Sequence, residues 1–278
     1  MADTGIAVER EASLAVVTLR RPDRLNAFNQ AMFNALEDAA RELSKAPQPR
    51  AVIVTGAGSD AFCAGFDVNP DNPMVVEMAR AMELKDKESI ARSISQLRAA
   101  VDRFVALPVP IIAAINGKAF GGGAELAVRC DMRVMDPAAE ICFSEVRLGL
   151  MPDWGGGATL THLIGAAAAA DLILTARRVA ADEALRLGLV NRISAPGQAL
   201  EEAVAMAEAI VCNGPQAVRS ALAVIRAGRN LSLQATLDLE QQAAVDLIAS
   251  GECLHGIGAF LNGQAPNFPD LLPDDTDR

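Results

Sequence analysis

Two glutamates near a run of glycines are the residues in this sequence best suited to chemistry. Glu125 follows a triple glycine, Gly121–Gly123, and Glu145 comes twenty residues later. If the glycines precede a helix, the first N–H groups of that helix are unpaired and carry partial positive charge. Glycine also lets a ligand oxygen approach these groups closely. Free N–H groups beside two carboxylates suit acid–base chemistry next to a polarised carbonyl.

Each of these features also has a purely structural interpretation. The glycines alone are typical of a close-packing turn, and the helix dipole alone favours a carboxylate such as Glu125 in a first turn. Glu145 is either a surface residue paired with Arg147 or a buried group whose pKa burial raises, so that it holds a proton near neutrality. Asp153 is a third carboxylate nearby, and Trp154, the only tryptophan, either walls an apolar pocket or fills the core.

A second small-residue loop, residues 60–68, follows a buried strand and contains a single glycine, Gly65. One of its N–H groups is a candidate second donor to an oxyanion. The preceding segment, residues 56–61, fits the dinucleotide fingerprint GxGxxA. No long helix opens after it, and no strand ending in an acidic residue follows. The sequence therefore argues against a dinucleotide site.

The hydrophobic pattern predicts the elements that would position these groups. A strand at 14–19, an amphipathic helix at 29–45 capped by Asn29 and a strand at 51–55 predict a right-handed crossover and a partly parallel sheet. Further strands are predicted at 108–115, 132–135, 141–143 and 189–193. Further helices are predicted at 75–105, 121–129, 157–164, 166–175, 180–187, 198–212, 215–226 and 231–262, the last broken near Ser250-Gly251. The pattern is an α/β core followed by a helical C-terminal portion.

Composition narrows the class of protein. The chain has 278 residues, is 51% hydrophobic and carries a net charge of −10, which argues against nucleic-acid binding. Its five cysteines are odd in number and lack CxxC spacing, which predicts reduced thiols in the cytoplasm. Two distant histidines argue against a multi-histidine metal site. Neither a signal peptide nor an apolar run of membrane-spanning length is predicted.

Taken together, these segments resemble the crotonase family, also called the enoyl-CoA hydratase/isomerase family, from about Ala12 to Phe268. The matching segments are Arg21-Pro22 with Leu25–Phe28, Ala61–Asp67, Pro110–Gly117, Gly121–Leu126, Phe143–Glu145 with Leu148-Gly149, Leu174-Thr175 with Ala181–Ala184, Gly188–Val190, and Pro266–Phe268. Each is weak alone, but together they occur in order at family-like spacings.

The resemblance implies an α/β fold, the crotonase-like spiral of β-β-α units with a helical C-terminal trimerisation region. Residues 1–198 would form the spiral core with an acyl-CoA site, 199–263 the C-terminal helical region, and 264–278 a flexible tail. The substrate would be a coenzyme A thioester. The assembly would be a homotrimer or a dimer of trimers.

The resemblance also implies roles for individual residues. The thioester oxygen would lie between the N–H groups of Phe66 and Gly122, Glu125 would deprotonate the attacking water, and Glu145 would deliver a proton to the α-carbon. Substrate contacts would come from Arg24, Leu25, Ala64, Asp67, Val68, Gly121 and Trp154. No residue is assigned to the coenzyme A phosphates, because the basic residues common in the family are replaced at 69–71 and 261–263.

Both glutamates are present, which favours an enoyl-CoA hydratase that needs no metal or redox cofactor. Three alternatives stay open. The first is a Δ3,Δ2-enoyl-CoA isomerase that uses Glu145 alone, and the second is another acyl-CoA reaction of the family. The third, of a different class, is a non-catalytic acyl-CoA binding subunit.

Overall fold

Two β-sheets joined by repeated connections organise the fold. A computed structural model describes residues 4–11 and 13–270. The strands are β1 Ile6–Glu11, β2 Leu14–Leu19, β3 Ala51–Gly56, β4 Ala61–Cys63, β5 Ile111–Ile115, β6 Lys118–Phe120, β7 Met132–Met135, β8 Glu140–Cys142, β9 Val179–Ala180 and β10 Arg192–Ile193. The helices are α1 Gln30–Leu43, α2 Pro73–Glu83, α3 Lys87–Val105, α4 Gly122–Arg129, α5 Gly156–Ile164, α6 Ala166–Thr175, α7 Ala181–Arg186, α8 Ala199–Val211, α9 Pro215–Ala227, α10 Leu233–Ser250 and α11 Cys253–Leu261.

The order of the strands shows the spiral. One sheet has the order β1-β2-β3-β5-β7-β10 and the other the order β4-β6-β8-β9. The pairs β3–β4, β5–β6 and β7–β8 each place one strand in each sheet, and helices follow each pair. Strands β3, β5 and β7 are parallel neighbours, as are β4, β6 and β8. The predicted α/β spiral of β-β-α units is confirmed.

The central strands are buried on both faces, which explains their continuous aliphatic sequences. Val52 and Val54 of β3 belong to the main core, which also contains buried residues of α1 and α3. The intervening Ala51 and Ile53 join a smaller cluster with Met206 of α8. Alternate side chains of β3 therefore point to opposite faces of the sheet, and each face packs against a different layer of helices. Helix α8 covers the second face of the sheet. The predicted domain boundary at residue 198 is not tested by this packing and stays a prediction.

Several element boundaries differ from the prediction. The helix expected over 75–105 is two helices, α2 and α3, because Lys85 has a left-handed backbone (φ +53°) and Asp86 caps the second helix by accepting from the Ser89 N–H at 3.1 Å. The strand expected over 189–193 is only β10, since the N–H groups of Leu189 and Val190 bond to the Ala184 carbonyl and close α7. The strand predicted from residue 108 begins at Ile111.

The last helices leave much apolar surface uncovered. Helix α10 has no buried residue, and Phe260 of α11 is 83% exposed. In the described part of the chain no single helix meets the length and hydropathy needed to cross a membrane. Helices α10 and α11 meet them only as a pair bent by 69°. Of the predicted tail, Phe268 and Asp270 bind Arg50, whereas residues 271–278 lie outside the described residues, so its flexibility stays a prediction.

Candidate active site

The triple glycine forms the start of α4, at the centre of the site. Gly121 takes the N-cap position with φ +53°, and its N–H bonds to the Cys142 carbonyl of β8 at 2.9 Å. Gly122 is the first helical residue, so its N–H has no acceptor within the helix. A Cβ on Gly123 would lie 2.0 Å from the Cys63 carbonyl oxygen. Only glycine allows α4 to begin this close to β4.

The Phe66 N–H is free because of a short parallel bridge between Phe28 and Phe66. The Phe28 N–H donates to the Gly65 carbonyl at 2.7 Å, and the Asp67 N–H donates to the Phe28 carbonyl at 2.9 Å. Backbone groups alternate in direction along an extended chain, so the N–H of Phe66 points away from residue 28. It bonds to no backbone acceptor within residues 4–11 and 13–270.

These two free amides are neighbours. Gly65 has φ +89°, and a Cβ placed on it would lie 2.7 Å from the Gly122 nitrogen and 3.0 Å from the Phe120 carbonyl oxygen. The peptide that carries the Phe66 N–H therefore lies against the N-terminus of α4. Two adjacent, unpaired N–H groups can together bind a carbonyl oxygen that gains negative charge. The geometry is compatible with the expected oxyanion hole, and the role of the two amides stays a prediction.

Glu125 lies in the first turn of α4 and is 1% exposed. Its carboxylate accepts N–H bonds from Asp153 (3.1 Å), Trp154 (2.9 Å) and Gly156 (2.8 Å). Burial raises its pKa, the Gly156 hydrogen bond opposes this shift, and the charges of Glu145 and Asp153 add to it. The loop before α5 thus orients one carboxylate rigidly.

Glu145 begins a 3₁₀ turn, Glu145–Leu148, directly after β8. Both of its carboxyl oxygens are buried and have no hydrogen-bond partner among the described residues. Oε1 lies 3.8 Å from the position a Cβ would take on Gly121, so the group faces the glycine turn. Burial raises the pKa of Glu145, and the charge of Asp153 adds to the effect. The alternative interpretation, a surface ion pair with Arg147, does not hold, since neither carboxyl oxygen of Glu145 has a hydrogen-bond partner in the described part of the chain.

The two glutamates titrate as a pair, since each charge disfavours the other. Three N–H donors stabilise the ionised form of Glu125, whereas Glu145 has none. We therefore assign the negative charge to Glu125 and the proton to Glu145. Asp153 adds a third carboxyl, whose pKa burial also raises.

Trp154 fills the core behind the glycine turn. Its ring packs on Phe28 and Phe33 at centroid distances of 5.5 and 5.1 Å. A Cβ on Gly122 would come within 2.8 Å of the indole. Of the two interpretations of Trp154, the geometry favours core filling, with the indole packed directly against Gly122. Contact with substrate stays a prediction.

The other predicted substrate contacts lie on the loops around the amides. Ala64 is half-buried, and its carbonyl oxygen lies 3.8 Å from the Cβ position of Gly121. Leu25 and Val68 are exposed, and their contact with substrate stays a prediction. Arg24 binds Asp71 at 2.7 Å.

Asp67, in contrast, uses its carboxylate inside the protein. Its oxygens accept from Arg21 at 2.9 Å and from the Asn69 side chain at 2.7 Å. Burial opposes ionisation, but these hydrogen bonds outweigh it and hold the pKa of Asp67 below its usual value. The carboxylate therefore fixes the loop that carries the Phe66 amide.

Sequence reasoning missed two residues that shape the site. The side chain of buried Asn26 donates to the Ala57 and Ala61 carbonyls at 3.0 and 2.8 Å and accepts from the Arg21 N–H. It therefore joins the loop after β2 to the segment between β3 and β4 and to the start of β4. Arg129 donates to the Trp154 carbonyl. Its spacing of four residues from Glu125 in a predicted helix was the available signal.

Comparisons with known proteins agree with this geometry. The sequence model of a family described as enoyl-CoA hydratase/isomerase matches residues 9–271. The chain is 33% identical over 268 residues to a crotonyl-CoA hydratase of Syntrophomonas wolfei, covering 96% of this chain and 99% of that protein. It is 34% identical over 258 residues to a short-chain-enoyl-CoA hydratase of Clostridium acetobutylicum, covering 92% and 94%.

A solved structure shows the same fold. The crystal structure of an enoyl-CoA hydratase from Bacillus anthracis superposes with a TM-score of 0.87 at 33% identity, covering 96% of this chain and 100% of that one.

Proposed function

The chain belongs to the enoyl-CoA hydratase/isomerase family, and on that basis we propose that it is an enoyl-CoA hydratase. It adds water across the double bond of a 2-enoyl-CoA thioester. The observation that carries this proposal is the placement of two glutamates with buried carboxyl oxygens, one hydrogen-bonded by three N–H groups and one by none, beside two free amides.

The reaction follows from the charges. The thioester oxygen binds between the Phe66 and Gly122 N–H groups. Ionised Glu125 takes a proton from water as the water oxygen bonds to the β-carbon. The electron pair of the double bond moves toward the thioester oxygen as an enolate, and Glu145 then gives its proton to the α-carbon. Only water is consumed, so the chemistry requires no metal or redox cofactor.

The magnitudes are adequate for catalysis. One preorganised oxyanion donor contributes about 3 kcal/mol of transition-state stabilisation. Each positioned proton transfer contributes on the order of 10² to 10⁴ in rate. The raised pKa values keep one proton on the glutamate pair near neutrality, which is the state the addition needs.

A panel of 2-enoyl-CoA thioesters, starting with crotonyl-CoA, tests the proposal by mass spectrometry. We expect a mass gain of one water for at least one chain length, with saturated butyryl-CoA unchanged as the control. If wild-type protein hydrates no chain length, the proposal is wrong.

An isomerase is the second candidate, because the unpartnered carboxyl of Glu145 can carry a proton between carbons without Glu125. In that case Glu125→Gln keeps most of the isomerisation of a 3-enoyl-CoA and Glu145→Gln abolishes it. A hydratase loses hydration with either substitution. A non-catalytic binding subunit would keep acyl-CoA affinity and have no activity to lose.

The exposed apolar residues of α10 and α11, including Leu233, Ile248 and Phe260, support assembly as a homotrimer or a dimer of trimers. Light scattering on wild-type protein and on Phe260→Asp tests this: we expect a trimer or hexamer that the aspartate weakens. A monomeric wild type would contradict it.

Two further expectations belong to the proposed hydratase function. The cysteines indicate a cytoplasmic location, and the expected substrate contacts are those of Arg24, Leu25, Ala64, Val68 and Gly121.

A further inference from the structure

Arg129, the last residue of α4, lies one helical turn beyond Glu125. Its Nη1 donates to the Trp154 carbonyl at 2.7 Å, and its Nη2 lies 2.6 Å from Oδ1 of Asp102. A Cβ on Gly155 would come within 3.2 Å of the guanidinium. The side chain is therefore in direct contact with the loop before α5.

That loop is the same one that holds Glu125. The loop N–H groups of Asp153 and Trp154, together with the N–H of Gly156 at the start of α5, donate to the Glu125 carboxylate, while the loop carbonyl of Trp154 accepts from Arg129. Two residues four apart on α4 thus hold opposite sides of one backbone segment. The hydrogen bonds to Glu125 attach the loop to α4 at its N–H groups, and the hydrogen bond from Arg129 attaches it at a carbonyl.

Asp102 connects this contact to a long helix. It lies in α3, a 19-residue helix whose buried residues are Leu97, Ala100, Val101 and Phe104. Its carboxylate also lies 3.5 Å from Arg98, which is 57% exposed. An uninterrupted series of contacts therefore runs from α3 through Asp102 and Arg129 to the loop, and from the loop to Glu125.

We propose that Arg129, held by Asp102, is a positioning residue for the general base: it fixes the loop whose N–H groups orient the Glu125 carboxylate. This inference rests on the proposed hydratase function for its kinetic consequence. Its structural part, that Arg129 sets the environment of Glu125, holds for any reaction at the site.

Removing the Arg129 guanidinium should change the pKa of Glu125 in a predictable direction. The loop N–H groups favour ionised Glu125, so a loosened loop weakens them and raises the pKa of Glu125 further. Two other titratable groups face Glu125, namely Glu145 and Asp153, and the substitution leaves both in place. Because Arg129 contacts neither oxyanion amide, binding of the thioester is affected less than proton transfer.

The test compares Arg129→Met with Arg98→Met. Both substitutions remove an arginine that contacts Asp102, but Arg98 does not contact the loop. For crotonyl-CoA hydration we expect Arg129→Met to lower kcat roughly ten- to a hundredfold with little change in KM, since small misplacements of a catalytic group cost this much. We expect the acid limb of the kcat profile to move to higher pH. Arg98→Met should match wild type in both.

Two more variants keep the test decisive if Arg129→Met folds poorly. Arg129→Lys retains one donor and should recover part of the lost kcat. Asp102→Asn weakens the anchor and should shift the pH profile in the same direction by less. An unshifted pH profile and wild-type kcat in Arg129→Met, or equal effects of Arg129→Met and Arg98→Met, would overturn the proposal.

A direct titration of Glu125 separates this proposal from the proposed function. Infrared spectra of ¹³C-glutamate-labelled protein, with Glu125→Gln to identify the band, report the protonation of this carboxyl without any substrate. If wild type hydrates nothing but the band of Arg129→Met titrates at higher pH, the hydratase assignment fails and the positioning role stands. If wild type hydrates crotonyl-CoA and the band does not move, the positioning role fails alone.

Discussion

Gly65→Ala is the substitution that tests the oxyanion hole most sharply. The added Cβ would lie 2.7 Å from the Gly122 nitrogen and 3.0 Å from the Phe120 carbonyl oxygen, and both contacts are with backbone that cannot rotate away. A φ of +89° also disfavours alanine by about 1–2 kcal/mol. To relieve the clash, the loop carrying the Phe66 amide must move away from α4.

The expected loss of kcat in Gly65→Ala follows from the displacement of one N–H donor. Displacing one oxyanion donor costs about 2.7–4 kcal/mol of transition-state stabilisation, or 10²- to 10³-fold in kcat. The assay is the loss of ultraviolet absorbance of the conjugated thioester during crotonyl-CoA hydration, on protein whose folding is verified by circular dichroism. KM should change less than kcat, because the enolate gains more from the donor than the bound substrate does.

Gly188→Ala is the matched control. Gly188 has a comparable left-handed backbone, φ +72°, but nothing lies within 4 Å of the Cβ position. It should reproduce the conformational strain without the clash and keep wild-type kcat. Wild-type kcat in folded Gly65→Ala, or an equal loss in Gly188→Ala, would refute the assignment of the Phe66 and Gly122 amides as a paired donor site.

Three further predictions concern the carboxylates and the loops. Glu125→Gln and Glu145→Gln should each lower kcat for hydration by roughly 10² to 10⁴, measured by the same absorbance; full activity in either would contradict its role. Because burial raises the pKa of both Glu125 and Glu145, the folded pair keeps one shared proton up to about pH 8, whereas both glutamates of the unfolded chain lose theirs near pH 4.5. The stability that this proton gives is fully present below pH 4.5 and is lost as pH rises through about 8. In urea titrations, the free energy of unfolding of wild type relative to Glu125→Gln should therefore fall over this interval, and a constant or rising difference would argue against the buried environment. Asn26→Ala should lower the free energy of unfolding by about 3 kcal/mol, because it removes the side-chain donor to the buried Ala61 carbonyl and the half-buried Ala57 carbonyl and puts alanine at φ +56°. Exposed Asn34→Ala is the control, and similar values for the two would show that Asn26 does not join the loops.

The sequence was sufficient to predict the parts of the site that depend on local backbone. The glycine triplet predicts the start of α4 and places Glu125 in its first turn, because a glycine N-cap and an acidic first turn are local properties. The buried strands β2, β3 and β5 were recognisable from their aliphatic runs. The full spiral and the roles of the amides came from the family resemblance rather than from periodicity.

The shortest of the missed strands lack a local signal. Strands β4, β6 and β9 have two or three residues, too few for an alternating pattern. The break before α3 carried a signal, since Asp86 and Ser89 have capping spacing, but the charges on both sides continue a helical pattern. The N–H donors to Glu125 come from the backbone of Asp153 and Trp154, so their side chains could not reveal the contact.

A crystal structure with butyryl-CoA, a saturated thioester that cannot be hydrated, tests the central geometry most directly. We predict that the thioester oxygen lies about 2.7–3.1 Å from both the Phe66 and Gly122 nitrogens, with the carboxyl group of Glu125 facing the β-carbon and that of Glu145 facing the α-carbon. A thioester oxygen bound by neither amide, or either carboxyl turned away from those carbons, would contradict the account.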